Sequence, residues 1–466
     1  MSQTDDPDVA AGAPDGSTDS ISSASPPGAP SSGASTAPQV RPSGDGLVSQ
    51  TKAAATQAEL AVDPELESDS LRDYGRALVV RLKGGETGVL PVILALFGIA
   101  VFFQIKNPKF LSAGNLVNLL DQGAVFMLLA MGEVFALLLG EIDLSIGFVA
   151  GLGGIVCAEL VKPETNWPWW AAIAAALVIT AAIGTLQGTI ITRLRLPSFV
   201  VTLAGLLAWE GVMLLILGNG GTLPINNSVI IDLANGQLTP VAGWIVLILV
   251  VGVYGAMMWR RDHRRRTSGL VAPPIGLTVI KIVGVAAAGV VLVLICNTNR
   301  GALVAIQGVP WVVLIVLGVL VMWTVLLGRT RYGRYVYAVG GNAEATRRAG
   351  VSLVRIRTLA FTLSCLTAGI AGLIYASRLR SVSTNLDGGQ LVLYSVAAAV
   401  IGGTSLFGGR GKAVHAVLGG LVIAAIYNGM GLLGLSAALQ YVVTALVLLA
   451  AVTLDAMARR GRVAGT

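Results

Sequence analysis

Long apolar runs separated by short polar breaks make up most of this chain from residue 88 onward. Each run is close to the roughly 20 residues that an α-helix needs to cross the hydrocarbon core of a bilayer. The pattern therefore predicts an all-α polytopic membrane protein with about 12 transmembrane helices. The predicted spans are 88–105, 117–140, 144–161, 168–192, 198–218, 241–259, 275–296, 309–327, 358–377, 390–404, 413–431 and 437–457.

Residues 1–86 lack such runs and are rich in Ser, Pro, Ala, Gly and Asp. A segment of this composition cannot bury enough apolar surface to offset the entropy lost on ordering. We therefore predict a disordered acidic cytoplasmic tail over 1–86 and a membrane domain over 87–466. The tail has no basic region followed by an apolar core, so it is not a signal peptide. A docking tail for another protein is the alternative.

Composition supports the membrane class. The chain is 54% hydrophobic and 12% charged, and its mean hydropathy is +0.76. Soluble domains carry about 25% charged residues, so a water-facing fold is excluded.

Charge is distributed unevenly, and the distribution predicts orientation. The tail holds 13 of the 25 acids and 6 of the 32 bases, so the membrane domain is basic. Its bases cluster in four segments: 193–195, 260–266, 329–357 and 458–462. With twelve spans, all four fall on the same side as both termini, and Lys- and Arg-rich loops face the cytoplasm. This topology explains the charge without nucleic acid. Lys106, Lys109, Arg378 and Arg380 fall on the other side and weaken the pattern without reversing it.

The stretch GGTSLFGGRGK (402–412) has the look of a phosphate-binding loop between two apolar runs. The P-loop pattern needs Gly, four residues, then Gly-Lys and a hydroxyl residue. Leu406 and Ala413 occupy the first-glycine and hydroxyl positions, so the pattern fails twice. Glycine also permits breaks in membrane helices, which occur where protein or a water cavity surrounds them. The gate or translocation path is predicted to include four residues of this stretch: Gly402, Gly403, Thr404 and Ser405. An ordinary glycine-rich cytoplasmic turn is the alternative.

The stretch GEIDLSIG (140–147) places acids between two apolar spans. Charge near the membrane interior is costly, and such acids usually face the bundle or a cavity. Glu141, Asp143 and Ser145 are therefore also predicted to lie on the translocation path or at its gate. The alternative is a short hairpin in which Asp143 or Ser145 caps the next helix. Residues 137–154 weakly resemble residues 400–420, which indicates two related halves.

The chain shows no metal or catalytic motif. Cys157, Cys296 and Cys365 lie in or beside apolar runs and read as small core residues. His263 and His415 are too few and too far apart for a metal site. We predict no metal, no cofactor bound by this chain and no enzymatic activity; a membrane-embedded enzyme with paired acidic metal ligands is disfavoured because no such acidic cluster occurs.

Residues 329–357, here called the coupling segment, hold seven arginines and one glutamate. Within them AEATRRAG (343–350) predicts a short helix closed by Gly350 and preceded by a turn and cap at Gly340, Gly341 and Asn342. An exposed helix on the cytoplasmic face favours docking of a partner. The alternative is a basic loop that only fixes topology.

Several stretches in order resemble the permease subunits of bacterial ABC importers for monosaccharides: GEIDLSIG, 196–211, RYGRYVYAVGGNAEATRRAGV, VIGGTSLFGGRG and 427–455. The likeness covers about 88–218 and 329–455. It is closest to xylose-type permeases, which resemble this chain in carrying extra spans between the two regions, here about 241–327. The resemblance implies a vitamin-importer-like ABC permease fold in the plasma (inner) membrane.

The resemblance also implies partners. Two permease subunits would form the path, ATP-binding cassette subunits would use ATP, and an extracytoplasmic sugar-binding protein would deliver substrate. The residues implied to contact the ATPase are Gly341, Asn342, Glu344, Ala345, Arg347 and Gly350. The predicted function is inward transport of xylose or a related pentose. Another cargo (a nucleoside, autoinducer sugar or amino acid) and a stand-alone secondary transporter remain alternatives.

Overall fold

A computed structural model describes five stretches of the chain. They are residues 90–218, 221–270, 272–301, 305–384 and 387–463. The tail predicted over 1–86 lies outside the described residues.

The described chain is almost entirely helical, with fifteen α-helices in sequence order. The first eight are α1 (Leu90–Lys106), α2 (Ala113–Leu138), α3 (Ile146–Val161), α4 (Trp169–Leu194), α5 (Ser198–Leu217), α6 (Ser228–Asn235), α7 (Pro240–Thr267) and α8 (Ile275–Asn297). The remaining seven are α9 (Trp311–Arg329), α10 (Arg331–Gly341), α11 (Ala343–Arg348), α12 (Leu353–Leu379), α13 (Gly388–Ile401), α14 (Ala413–Leu432) and α15 (Ala437–Val463).

Each of the twelve predicted spans coincides with one of these helices, which confirms the all-α polytopic fold. Within the described residues, eight helices are long and apolar enough to cross a membrane. The other four are shorter apolar helices: α1, α3, α13 and the Ala437–Val447 part of α15. The span predicted at 390–404 corresponds to α13, which has 14 residues and is the shortest of the twelve matching helices.

Two helices form the centre of the bundle. In their most apolar 18-residue windows, α2 is 83% buried and α12 is 67% buried, whereas α7 is 6% and α8 is 11% buried. Helices α3, α4, α13 and α14 pack around the central pair. Helices α7 and α8 pack on each other at the periphery, within the stretch predicted to hold extra spans.

Small residues bring the central helices close together. A Cβ at Gly372 of α12 would lie 1.8 Å from the carbonyl oxygen of Ala150 in α3. A Cβ at Gly184 of α4 would lie 2.3 Å from the carbonyl oxygen of Phe361 in α12. Membrane helices associate through such close backbone contacts because lipid offers no hydrophobic drive between them.

The outer surface of the bundle is apolar. Leu215 is 83% exposed, Ile105 74% and Val178 67%. Three tryptophans are exposed around the start of α4: Trp167, Trp169 and Trp170. An apolar belt edged by tryptophan is typical of a surface that meets lipid and its headgroups.

A short antiparallel pair closes one end of the bundle. Strand β1 (Thr222–Pro224) pairs with β2 (Ser381–Ser383), with Leu223 opposite Val382. Helix α6 is fastened beside it, since the backbone N–H of Ala234 donates to Ser377 Oγ at 2.9 Å. The segment after α5 and the end of α12 therefore form one structured cap.

The coupling segment differs from the loop that the sequence predicted. Helices α10 and α11 occupy most of it, and α12 begins within it. Gly340 and Gly341 are the last residues of α10 and do not form a separate turn. The reason is local: Thr330 caps α10 by accepting from Gly333 N at 3.1 Å, and α10 carries an apolar face that packs on α9 and α2.

Candidate functional site

Helix α11 has well-defined ends. The Asn342 side chain accepts a hydrogen bond from Ala345 N at 2.9 Å, which satisfies one of the free N–H groups of the first turn. Gly350 follows the helix with φ +82°, a conformation that suits glycine at a helix C-terminus. The short helix predicted over AEATRRAG, with its cap and its closing glycine, is confirmed.

The surface of α11 is charged and exposed. Glu344 pairs with Arg347 at 2.9 Å and with Arg348 at 3.0 Å, and these side chains are 51%, 65% and 78% exposed. Hydrogen bonds from the two arginines lower the pKa of Glu344, so the carboxylate is ionised at neutral pH. Ala345 and Gly341 are also exposed. Exposed ion pairs add little to stability, so these charges are free to serve recognition.

The first break, residues 139–145, connects α2 to α3 and turns into the bundle. Asp143 is fully buried, and its Oδ1 accepts from Ser145 N at 3.0 Å and from Ser145 Oγ at 2.6 Å. The bond to Ser145 N makes a local Asx-type turn. Ser145 precedes α3 but makes no side-chain cap to it. Asp143 therefore fixes a local turn and does not cap α3. Its place on the translocation path or at its gate stays a prediction.

A buried polar cluster surrounds Asp143. Glu133 of α2 accepts from Asp143 N at 3.1 Å, and Gln187 of α4 donates to Ser145 Oγ at 2.9 Å. From α12, Ser364 and the thiol of Cys365 donate to Asp143 Oδ2 at 3.4 and 3.6 Å. The cluster joins the break to three helices. All three cysteines are buried and free, as predicted.

Glu141 links the first break to α12. Its carboxylate lies 3.1 Å from the guanidinium of Arg357, and the side chains are 11% and 32% exposed. Gly140 just before it has φ +75°. Arg357 is the fifth residue of α12, so this ion pair ties the first break to the start of the helix that follows α11.

The second break, residues 402–412, connects α13 to α14. Gly403 has φ +100° there, and Thr404 and Ser405 are 1% and 3% exposed. Ser405 N donates to Arg410 O at 2.8 Å, which closes the loop on itself. Gly402 packs against α14, where a Cβ would lie 2.0 Å from His415 O. The break is a tightly folded turn held by its own backbone.

The coupling segment and both breaks meet at one end of the bundle. Gly409 N donates to Leu138 O at 2.8 Å, and Tyr337 OH of α10 donates to Gly411 O at 2.7 Å. A Cβ at Gly340 would lie 1.7 Å from Leu138 O and 2.6 Å from Gly409 N. We call this contact between Gly340, Leu138 and Gly409 the glycine junction.

The structure thus unites two groups of residues that the sequence predicted separately. The second break contacts α10 through Tyr337, and the glycine junction joins α10 to Leu138, the residue just before the first break, while the predicted ATPase-contact residues lie on or around the exposed α11. The sequence did not predict the junction residues Leu138 and Gly409. It also did not predict Tyr337, which bonds to the second break, or Arg357, which pairs with Glu141. The one sequence signal for Gly340 was its position as a glycine within the basic coupling segment.

Within the part of the chain that the structure describes, no group of three or more His, Cys, Asp or Glu residues is arranged to hold a metal ion. Three glycine N–H groups of the second break are engaged within the protein: those of Gly403, Gly408 and Gly409 bond to Val400, Ser405 and Leu138. A phosphate cradle needs such N–H groups to point at the ligand. These three glycines therefore do not offer their N–H groups to a phosphate.

Residues 115–452 match a protein-family model described as branched-chain amino acid transport system / permease component. Among curated proteins, the xylose transport system permease protein XylH of Escherichia coli is 35% identical over 395 residues, covering 82% of this chain and 97% of that protein. XylH of Haemophilus influenzae is 33% identical, covering 80% and 98%.

A second group of relatives is named for ribose. The ribose import permease protein RbsC of Escherichia coli is 31% identical over 363 residues, covering 78% of this chain and 92% of that protein. No solved structure matches this chain significantly. The likeness to vitamin-importer permeases therefore rests on the sequence resemblance.

Proposed function

The chain belongs to the permease family described as branched-chain amino acid transport system / permease component, and from this premise we propose that it carries xylose or a related pentose inward across the membrane. It is a transport permease and not an enzyme. Its apolar helices make it a multi-pass membrane protein.

The relatives support a sugar as the cargo. About four-fifths of the chain aligns with proteins named as xylose permeases, and nearly as much aligns with proteins named as ribose permeases. The family description names branched-chain amino acids instead. An amino acid is therefore the second candidate cargo, and competition between xylose and leucine for uptake separates the two.

ATP is proposed to act through a separate subunit. The glycine-rich second break departs from the P-loop pattern at Leu406 and Ala413, and the N–H groups of Gly403, Gly408 and Gly409 are already hydrogen-bonded within the protein. The nucleotide would then bind to an ATP-binding cassette partner, with no cofactor on this chain. A membrane subunit of this kind needs a surface on which the ATPase can dock.

The exposed charged helix α11, joined through α10 to both breaks, is the observation that carries the proposal. We assign ATPase contact to Gly341, Asn342, Glu344, Ala345, Arg347 and Gly350. Closure of the ATPases would push on α11, and α10 would pass the movement to α2 and α14 through the glycine junction. Because Gly340 packs closely against Leu138 and Gly409, a displacement of α10 would move both residues with it.

The two breaks are proposed to act as hinges or gate edges in alternating access. Gly402, Gly403, Thr404 and Ser405 would bend at the second break, and Glu141, Asp143 and Ser145 at the first. Asp143 would act by fixing the break and not by binding sugar, since both of its oxygens accept hydrogen bonds from the protein.

The remaining assembly follows the family pattern. We propose a permease homodimer, two docked ATPases and an extracytoplasmic sugar-binding protein. The basic coupling segment and the arginines of 260–266 would face the cytoplasm together with both termini. The membrane would be the plasma (inner) membrane. No transport role is assigned to residues 1–86.

Uptake tests this function. The permease is expressed in membrane vesicles with or without its ATPase and sugar-binding protein, and entry of labelled xylose is followed. We expect uptake only with the complete set and ATP. A stand-alone secondary transporter would take up xylose without the ATPase, and an amino acid permease would take up leucine in its place.

A further inference from the structure

A cavity of about 350 Å³ lies between α2, α12, α13, α14 and α15. Its lining comes from the C-terminal ends of α12 and α14 and the N-terminal ends of α13 and α15. The coupling segment and the breaks contact the opposite ends of these antiparallel helices. The cavity, here called the outer chamber, therefore lies at the far end of the bundle from α11. Its defining residues are Phe126, Asp387, Gln390, Tyr394, Tyr427 and Ala437.

One wall of the outer chamber is an aromatic cluster. The rings of Phe126, Tyr394 and Tyr427 meet edge to face, with centroids 5.1, 5.7 and 5.9 Å apart. Tyr394 is 2% exposed and Phe126 6% exposed, so the wall is held by packing. Rigid aromatic rings offer a flat apolar face at little cost in side-chain entropy.

The other walls carry hydrogen-bonding groups. Gln390 Nε2 donates to Tyr394 OH at 2.6 Å, and Tyr441 OH donates to Asp387 Oδ2 at 3.0 Å. Gln122 accepts from Asn428 at 3.3 Å. An amide has two donors and two acceptor lone pairs, and a carboxylate has about four acceptor sites. Each of these bonds uses one site, and Asp387 Oδ1 also accepts from Gln390 N at 2.9 Å, so the amides and the carboxylate still keep unused sites for a ligand.

We propose that the outer chamber is a binding site for the transported monosaccharide within the permease, a proposal that rests on the proposed function. A pyranose presents apolar C–H faces and a ring of hydroxyls, and the chamber offers aromatic faces opposite amides and a carboxylate. Its volume is at the low end of the roughly 300–1,000 Å³ of small-molecule sites, which suits a single sugar unit.

A neighbouring cavity fits a sugar less well. It measures about 660 Å³ and shares Arg378 and Leu379 with the outer chamber. Its described lining is polar and charged, with Asp121 and Arg380 among it, and includes no aromatic residue. It adjoins the chamber at Arg378 and Leu379, and the aromatic wall, which it lacks, favours the chamber as the sugar site.

Thiol labelling tests the site directly in the full-length chain. Ala437 lines the chamber, whereas the next residue, Ala438, is exposed and does not line it. Each is changed to Cys. The native thiols Cys157, Cys296 and Cys365 are 1%, 0% and 0% exposed, so a water-soluble maleimide reports on the new one. D-xylose should slow labelling of Ala437→Cys severalfold and leave Ala438→Cys unchanged.

Three outcomes of the labelling overturn the site: no protection by D-xylose, equal protection of both cysteines, or protection by L-leucine in place of xylose. Xylose uptake by the wild-type complex is measured in parallel with the labelling. Uptake without protection refutes the chamber and leaves the proposed function standing, whereas absence of uptake refutes the function.

A blocking variant gives a second readout. Ala437→Trp should fill the chamber and lower xylose uptake by the assembled complex about tenfold, a barrier of about 1.4 kcal/mol, while ATP hydrolysis continues. Ala438→Trp adds the same bulk outside the chamber and should transport normally. Normal uptake by Ala437→Trp would overturn the proposal.

Discussion

Glu133 and Asp143 are two fully buried carboxylates that hold the first break against the bundle. Buried polar groups are tolerated in proteins where hydrogen bonds satisfy them. Here Asp143 accepts from Ser145, Ser364 and Cys365, and Glu133 accepts from the Asp143 backbone. The break thus takes its shape from side chains that come from distant helices.

Replacing Asp143 should loosen the break. In Asp143→Ala, the buried N–H of Ser145 loses its acceptor, which costs about 1–3 kcal/mol for an unsatisfied buried group, whereas the hydroxyl retains Gln187 Oε1 as an acceptor. Asp143→Asn keeps one acceptor oxygen and should lose less stability. Thermal unfolding of the purified protein in detergent measures both, and uptake in vesicles shows the effect on transport. Equal stability of Asp143→Ala and wild type, with normal uptake, would refute the role of this carboxylate.

Gly340 should tolerate no side chain. A Cβ there meets Leu138 O and Gly409 N, so Gly340→Ala must separate α10 from both breaks, and overpacking of this kind costs about 1–3 kcal/mol. We expect ATP hydrolysis to continue in the assembled complex while sugar uptake falls. Gly328→Ala is the control, since Gly328 ends α9 with nothing within 4 Å of its Cβ position. Matched transport by the two variants would exclude the glycine junction from coupling.

Helices α10 and α11 differ in how they pack. Helix α10 lies against α9 and α2, and α11 turns out to solvent after Asn342. The contacts of α10 are buried and specific, whereas those of α11 within this chain are few. This contrast is expected of a segment whose inner half transmits force and whose outer half meets a partner.

Removing charge from α11 should weaken ATPase docking and not folding. Arg347→Ala breaks an exposed pair with Glu344, and exposed pairs of this kind contribute little to stability. We expect the amount of ATPase that co-purifies with the permease to fall severalfold. Lys162→Ala is the matched control, because Lys162 forms an i,i+3 pair with Glu159 at the opposite end of the bundle. If both variants retain the ATPase equally, α11 is not the docking element.

Hydropathy alone located the twelve long or apolar helices, because each apolar run must satisfy its backbone bonds internally in lipid, but it did not locate α6 or α10. The sequence also predicted α11, since Asn342 and Gly350 are local cap signals. The convergence of the breaks at α10 was not predictable in this way. Leu138 and Gly409 are joined across hundreds of residues by a backbone bond, and no local pattern records such a pair.

The outer chamber shows the same limit. Gln390, Tyr427 and Gln122 stand out as polar positions within apolar runs, so each alone signals a buried contact or a cavity. These three side chains line the same cavity only because of how α2, α13 and α14 pack. The exposed helix α11 at one end and the outer chamber at the other fit the layout proposed for a transport subunit.

ATP-driven uptake in a purified system tests the central claim most directly. The permease is reconstituted in proteoliposomes with its ATPase subunits and sugar-binding protein, and accumulation of labelled xylose is measured with ATP on the α11 side. We predict accumulation that requires ATP and stops when the ATPase is replaced by a variant unable to hydrolyse it. Accumulation of xylose by the permease alone, or its absence from the complete assembly while leucine accumulates, would contradict the proposed function.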